Sequence, residues 1–114
     1  MRQRPQGEGM VVSILTRKTR IRDRAQWETA LGTVLPKIRE LLVSESGFAS
    51  VEYAWSAEND GEFAQITAWK TLDDCRGYVR GGGAATVATI EDSAVPTAPH
   101  PDGSWVRKTF ETIP

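Results

Sequence analysis

The sequence GEFAQITAWKTLDDCRGYVR, residues 61–80, contains the change of pattern that decides the predicted fold. Its segment 63–70, FAQITAWK, alternates side chains between two faces, which is typical of a β-strand. At Thr71 the period changes, because a hydroxyl stands where a helix N-cap favours one and two carboxylates follow in the first turn. The segment therefore predicts a strand that ends near Trp69 and a helix that begins two residues later. A large indole at such a junction is the first candidate for a functional side chain.

The same two periodicities divide the remainder of the chain into elements. Three further stretches alternate like strands, and residues 22–44 carry an apolar stripe at helical spacing. Gly32 and Pro36 interrupt that stripe, which predicts a kink or break near Thr33. The predicted elements, in chain order, are a strand at 10–19, a helix at 22–44, a strand at 48–57, a hairpin turn at 58–61, a strand at 63–70, a helix at 71–80, a short helical piece at 84–92, a proline-rich loop at 92–103 and a strand at 105–112.

The length and composition of the chain favour a single domain. Of the 114 residues, we assign 10–114 to this domain and 1–9 to a loose polar tail. The 14 basic and 15 acidic residues are interspersed and give a formal net charge of −1, so we expect neither a nucleic-acid nor a membrane partner. The single cysteine, Cys75, rules out an internal disulfide, and one Cys with one His is a poor basis for a zinc site. Because the sequence has no long apolar run and no apolar core of a signal peptide, we expect a cytoplasmic protein.

The predicted order β-α-β-β-α-β is that of the ferredoxin-like fold, an α+β arrangement in which helices cover one face of a four-stranded antiparallel sheet. The other face would carry apolar side chains such as Val11, Leu15, Val51 or Ile66, depending on the register. An apolar face of that size predicts a partner, and a homodimer that packs sheet against sheet is the simplest one. We expect that interface to contain at least two of the residues Tyr53, Trp55 and Trp105.

The order of elements, the strand ILTRKT at 14–19, the hairpin at 58–61 and the WKT junction at Trp69 resemble the antibiotic biosynthesis monooxygenase family of dimeric α+β barrels. The resemblance covers roughly residues 10–112. It implies a homodimeric barrel with a small apolar pocket between sheet and helices in each subunit. It also implies one of two chemistries, which differ in the residues that they need.

The first chemistry is haem degradation. Family members that degrade haem keep an Asn near the end of the first strand, the tryptophan at the end of the third and a His ligand on the helix that follows. Here Trp69 matches the tryptophan, whereas Thr16 stands where the Asn would be and residues 72–90 contain no histidine. The only histidine, His100, lies in the proline-rich loop, outside the matching helix. Because haem iron needs an axial donor, this departure disfavours haem degradation.

The second chemistry is the cofactor-independent oxygenation of polycyclic phenols to quinones, in which the deprotonated substrate itself gives an electron to O₂. It needs an apolar pocket and polar groups that hold the phenolate, and it needs no cofactor. The resemblance therefore implies a cofactor-independent monooxygenase for a small aromatic or polyketide-like substrate. The alternative is a non-catalytic barrel that binds a small molecule or has a structural role, because no spacing in the sequence predicts a catalytic triad or a carboxylate pair.

Six residues are candidates for the site that the resemblance implies. Trp69 would stack on a flat substrate and, with Thr16, form the predicted catalytic pair. The predicted substrate-binding residues are Gln65, Thr67, Tyr78 and Arg80. A purely structural interpretation is open for each of them, because aromatic side chains fill cores and buried polar side chains are usually bonded within the protein.

Overall fold

The computed structural model describes residues 9–97 and 106–114. In this part of the chain the predicted order β-α-β-β-α-β is confirmed, with two helices at each helical position. The elements are β1 Val11–Lys18, α1 Arg24–Gly32, α2 Leu35–Val43, β2 Phe48–Trp55, β3 Glu62–Trp69, α3 Leu72–Arg80, α4 Gly83–Ala94 and β4 Val106–Glu111. None of these helices is long and apolar enough to cross a bilayer. His100 and Trp105 fall outside the described residues, so the predictions for them stay predictions.

The sheet has the strand order β2-β3-β1-β4, and every neighbouring pair is antiparallel. β1 and β3 form its centre, with Val11 opposite Trp69 and Leu15 opposite Gln65. On the other side of β1, Leu15 lies opposite Arg107 of β4. Because successive side chains point to opposite faces, this register assigns the odd-numbered residues of β1, β3 and β4 to one face of the sheet. The even-numbered residues of these strands form the other face.

The boundaries of the first three helices follow from local sequence. The predicted break near Thr33 is confirmed, since α1 ends at Gly32 and Pro36 lies in the first turn of α2, where a missing backbone donor is tolerated. The predicted cap of α3 is confirmed as well. The Thr71 hydroxyl accepts a hydrogen bond from the backbone N–H of Asp74 at 3.1 Å.

The last helix is longer than the sequence predicts. α4 continues to Ala94, and the backbone N–H of Val95 still donates to the carbonyl of Glu91 at 2.7 Å. Glu91 and Val95 are both fully buried. The prediction that a loop begins at residue 92 was therefore wrong, because burial of these two side chains holds another turn of helix against the sheet.

The helices cover the face that carries the odd-numbered residues of β1 and β3. Val11 and Leu15 are buried there, and Val51 of β2 packs against the same core. The prediction that these three residues could line the open face was therefore wrong, and of the four named there only Ile66 lies on the open face. The face could not be assigned earlier because both sides of β1 are largely apolar.

Tyr53 and Trp55 also lie on the covered face. The Trp55 ring is 5.2 Å from that of Trp27, which in turn lies 5.6 Å from Phe63. The prediction that at least two of the three aromatic residues lie in an open-face interface was therefore wrong, because two of them pack under α1 and α4 instead.

The open face of the sheet retains a band of apolar side chains. Ile14 and Ile66 lie opposite each other at its centre. Towards the β4 edge, Val106 is 41% exposed and Phe110 is 50% exposed. This face therefore presents exposed apolar surface in the single chain.

Candidate active site

An aromatic pair lies where β3 ends beneath α3. The ring of Tyr78 packs 4.8 Å from that of Trp69 at an interplanar angle of 31°, and the edge of Phe48 contacts the same indole. Trp69 has 0% of its surface exposed. Its indole N–H donates to the Thr67 hydroxyl at 2.9 Å, so the only polar atom of the ring is bonded. The junction singled out in the sequence thus forms the centre of the core.

A buried ionic network lies further along the same layer between sheet and helices. The guanidinium of Arg17 donates through one nitrogen to Glu91 and through another to Asp92, each at 2.5 Å. The second carboxylate oxygen of Glu91 accepts from the Tyr53 hydroxyl and from the Gln65 side-chain amide, both at 2.5 Å. Arg17 and Glu91 are fully buried, and Asp92 alone reaches the surface. One carboxylate therefore joins the central sheet to α4.

This network fixes the orientation of the Gln65 amide. A carboxylate only accepts hydrogen bonds, so the nitrogen of Gln65 must face Glu91, and it also donates to the Tyr53 oxygen at 3.2 Å. The amide oxygen of Gln65 is consequently turned away from both groups. It is buried and has no hydrogen-bond partner among the described residues. The layer therefore presents a free acceptor.

The hydroxyl of Tyr78 is the second free polar group in this layer. It is buried and without a hydrogen-bond partner among the residues that the structure describes. Burial raises the pKa of Tyr78, opposed by the charge of Arg107 and reinforced by Glu91. Burial, followed by the charge of Glu91, likewise raises the pKa of Tyr53. Both phenols therefore remain protonated at neutral pH; Tyr53 already donates to Glu91, and Tyr78 is available as a hydrogen-bond donor.

The structure brings together four of the six predicted site residues. Gln65, Thr67 and Trp69 project from β3 into the covered layer, and Tyr78 meets them from α3. The pocket expected around Trp69 is closed, however, because Tyr78 occupies the face of the indole on which a substrate would stack.

The other two predicted site residues lie elsewhere. Thr16 is on the open face of the sheet, where its hydroxyl donates to the carbonyl of Val106 at 3.3 Å. Arg80 is exposed in the last turn of α3. The expectation that Thr16 places a polar group beside Trp69 was wrong, because the two residues point to opposite faces.

The sequence analysis missed the ionic network. Arg17 follows Leu15 by two residues on the same face of β1, and Glu91 follows Val87 by four residues on the buried side of α4. At both positions a charged residue continues the spacing of buried apolar residues. This spacing indicates that each charge is buried and needs a partner of opposite charge. The partners are 74 residues apart in the chain, so no local spacing connects them.

A cavity of about 160 Å³ lies behind Tyr78, between α2, α3 and α4. Its walls include Leu42, Val87 and the Tyr78 ring itself. A second cavity, of about 390 Å³, opens on the other side of the sheet, where Ile14 and Phe110 line it. The smaller cavity thus lies among the helices next to the Tyr78 ring, and its lining includes the polar residues Ser44 and Glu45.

No protein-family model matches the sequence, and no curated protein does. Solved structures with the same fold include a Bordetella bronchiseptica protein assigned to the antibiotic biosynthesis monooxygenases, which is 15% identical over 93% of this chain and 99% of its own, with a TM-score of 0.66. SnoaB from Streptomyces nogalater, a cofactor-independent oxygenase, is 14% identical over 90% of this chain and 91% of its own, with a TM-score of 0.56. The monooxygenase ActVA-Orf6 of Streptomyces coelicolor, solved with the ligand nanaomycin D, is 17% identical over 94% of this chain and 88% of its own, with a TM-score of 0.60. The TM-scores show a shared fold, and identities this low show nothing beyond it.

Proposed function

We propose that this chain, which has the fold of the antibiotic biosynthesis monooxygenases, is a cofactor-independent monooxygenase that oxidises a small aromatic or polyketide-like molecule with O₂. The reaction would take place in the layer between sheet and helices, beside the Trp69–Tyr78 pair. Similarity of fold to oxygenases supports the class of reaction. The position of the site is supported by the polar groups of this chain itself.

The observation that carries the proposal is that two buried polar atoms of that layer, the amide oxygen of Gln65 and the hydroxyl of Tyr78, have no hydrogen-bond partner among the described residues. Nearly all buried polar groups in proteins have a hydrogen-bond partner, and leaving one without a partner costs about 1–3 kcal/mol. A phenol with a neighbouring carbonyl offers one donor and one acceptor on a flat ring. Such a molecule would bond both atoms while its rings pack against Trp69.

Room for the substrate would come from movement of Tyr78. Its ring covers the indole of Trp69 and also forms a wall of the cavity of about 160 Å³ behind it. If the Tyr78 ring turns into this cavity, the face of Trp69 becomes free for stacking.

The reaction can be written for anthrone as a model substrate. The methylene carbon loses two hydrogens and gains one oxygen atom of O₂, and the second oxygen atom leaves as water. The substrate is oxidised by four electrons and O₂ is reduced by the same four, so no further reductant is needed. In the protein, Gln65 would accept the hydrogen bond of the enol before its proton is lost, and the rings would stack on Trp69.

Oxygen uptake tests the proposed function. We expect the purified protein, with no added metal or cofactor, to accelerate O₂ consumption and quinone formation from an anthrone or a naphthohydroquinone. The Gln65→Leu variant should lose at least about tenfold in kcat/KM, since one hydrogen bond to the transition state is lost. Glu40→Gln changes an exposed carboxylate of α2 and is the matched control. Uptake no faster than the uncatalysed rate with every compound of this class would refute the proposal.

The alternative, a non-catalytic barrel that binds a ligand, is favoured by one observation. Trp69 is fully buried and its N–H is already bonded to Thr67, as in an ordinary core. The Trp69→Phe variant separates the two functions. In the oxygenase it should lower the turnover rate at unchanged fold, whereas in a binding protein it should change ligand affinity or stability with no reaction to abolish.

We also propose that two copies pack their open sheet faces together. The exposed apolar band around Ile14, Val106 and Phe110 supports this arrangement, because monomeric proteins rarely leave such a face uncovered. The Phe110→Lys variant should then run as a monomer of 12.6 kDa in light scattering, with an unchanged circular dichroism spectrum. Val43→Lys, at a position that is 71% exposed on α2, should remain dimeric. A wild-type monomer, or a dimeric Phe110→Lys variant, would contradict this interface.

A further inference from the structure

A second polar cluster lies beneath α3, where β1 meets β4. The guanidinium of Arg107 donates to the Ser13 hydroxyl at 2.7 Å, and Ser13 is fully buried. The Cys75 thiol of α3 is buried, and Ser13 and the charge of Arg107 both act against the rise of its pKa. One turn further along α3, the Tyr78 hydroxyl is buried and has no partner among the described residues. A cation, two small polar groups and a free phenol are thus gathered in one place.

No carboxylate among the described residues forms an ion pair with Arg107. Within residues 9–97 and 106–114, Ser13 is the hydrogen-bond partner of its side chain. A guanidinium has five N–H donors, so most of its donors remain available. Burial raises the pKa of Cys75, and the charge of Arg107 acts against that rise, as it does at Tyr78. The hydrogen bond to the fully buried Ser13 places this positive charge at the layer that contains the proposed site.

The position of Arg107 gives it access to both solvent and core. β4 is an edge strand, and Arg107 is only partly buried. Thr109 and Glu111 follow on the same side of β4 and are exposed, although their partners on β1, Ser13 and Val11, are buried. The helices therefore leave the β4 end of this face uncovered. Arg107 is therefore a partly exposed member of this cluster at an edge of the sheet.

We propose that Arg107, together with the hydroxyl of Tyr78, binds the phenolate oxygen of an aromatic ligand that enters from the β4 edge. The inference rests on the proposed function, in which the substrate must lose a proton before it can give an electron to O₂. A guanidinium forms short, charge-assisted hydrogen bonds to an anionic oxygen. An adjacent cation also favours the ionised form of the ligand over the neutral one. Arg107 would thus hold the ligand in the form that reacts.

Alizarin, 1,2-dihydroxyanthraquinone, is a suitable probe because its colour reports ionisation and it is already a quinone. We expect the dye to ionise at a lower pH when it is bound to the wild-type protein than when it is free. The Arg107→Gln variant should raise the pKa of the bound dye by at least about one unit, a tenfold loss in preference for the anion. Arg107→Lys should keep part of the effect, because it keeps the charge. Arg39→Gln, an exposed arginine of α2, should leave the titration unchanged.

Two further probes and one comparison make the test decisive. The 2-methyl ether of alizarin lacks the hydroxyl that ionises first, so it should bind with the same affinity to wild type and Arg107→Gln. Anthraquinone-2-carboxylate shows whether the site binds a carboxylate in place of a phenolate. The assignment is wrong if the dye fails to bind, if it ionises at the same pH in both proteins, or if only the carboxylate depends on Arg107. The titration involves no O₂. A shifted dye without oxygen uptake would refute the oxygenase alone, and oxygen uptake without a shift would refute the role of Arg107 alone.

Discussion

The Glu91→Leu variant is expected to lower the free energy of unfolding by about 3–5 kcal/mol, because it removes the fully buried carboxylate that offsets the charge of Arg17 and leaves the partly exposed Asp92 to do so. It also removes the acceptor of Tyr53 and Gln65. Such a loss is a large part of the total stability of a domain of this size, which is about 5–15 kcal/mol. Urea unfolding followed by tryptophan fluorescence measures the change.

Two control variants separate the ion pair from the side chain itself. Glu28→Leu removes one partner of the exposed pair Arg24–Glu28, 3.0 Å apart, and should cost at most about 0.5 kcal/mol. The double variant Arg17→Met/Glu91→Leu should be clearly more stable than Glu91→Leu alone, because the buried positive charge that Glu91 offsets is then removed as well. If the double variant instead loses as much stability as Arg17→Met and Glu91→Leu lose together, the loss comes from packing and the electrostatic explanation is wrong.

The Trp69→Ala variant is expected to lose about 3–5 kcal/mol of stability, since a fully buried indole is replaced by a cavity. Tyr78 and Phe48, which now contact the indole, would lose their packing partner. Phe110 is half exposed in the single chain. At a protein concentration low enough to keep the chain monomeric, Phe110→Ala should therefore lose much less stability than Trp69→Ala. Thermal unfolding of both variants by calorimetry tests this difference.

The size of the Trp69→Ala effect bears on the proposed site. A loss below about 1 kcal/mol would show that the surrounding residues collapse into the space with little cost. The aromatic pair would then be too loosely held to orient a substrate. A loss in the expected range would show that Trp69 is held rigidly where a ring would stack.

The fold could be predicted from the sequence because its signals are local. Alternation along 63–70, the cap at Thr71 and the interruption at Pro36 each act within a few residues. The assignment of faces could not be predicted in the same way. In β1 the covered side includes Ser13 and Arg17, so it looks less apolar than the open side, and only pairing with β3 decides between them.

Part of the candidate site could be predicted from the sequence, because its signals are also local. Gln65 and Trp69 share a face of one strand, so period-2 alternation places them together, and Tyr78 follows on the helix above. Glu91 and Arg107 reach the same layer only through tertiary contacts that span large distances in sequence. Their roles depend on burial and on which partners they meet. Thr16 shows the converse, because a position matched by resemblance alone proved to lie on the other face.

The central claim is that an aromatic ligand binds in the layer between sheet and helices and displaces Tyr78 from Trp69. A crystal structure of the protein grown with anthraquinone tests it most directly. The account predicts a ring system stacked on Trp69, with Tyr78 turned towards α2 and a ligand oxygen at about 2.7–3.2 Å from a polar atom of this layer. A ligand bound only on the open face near Ile14 and Phe110, with the Trp69–Tyr78 pair unchanged at 4.8 Å, would contradict it.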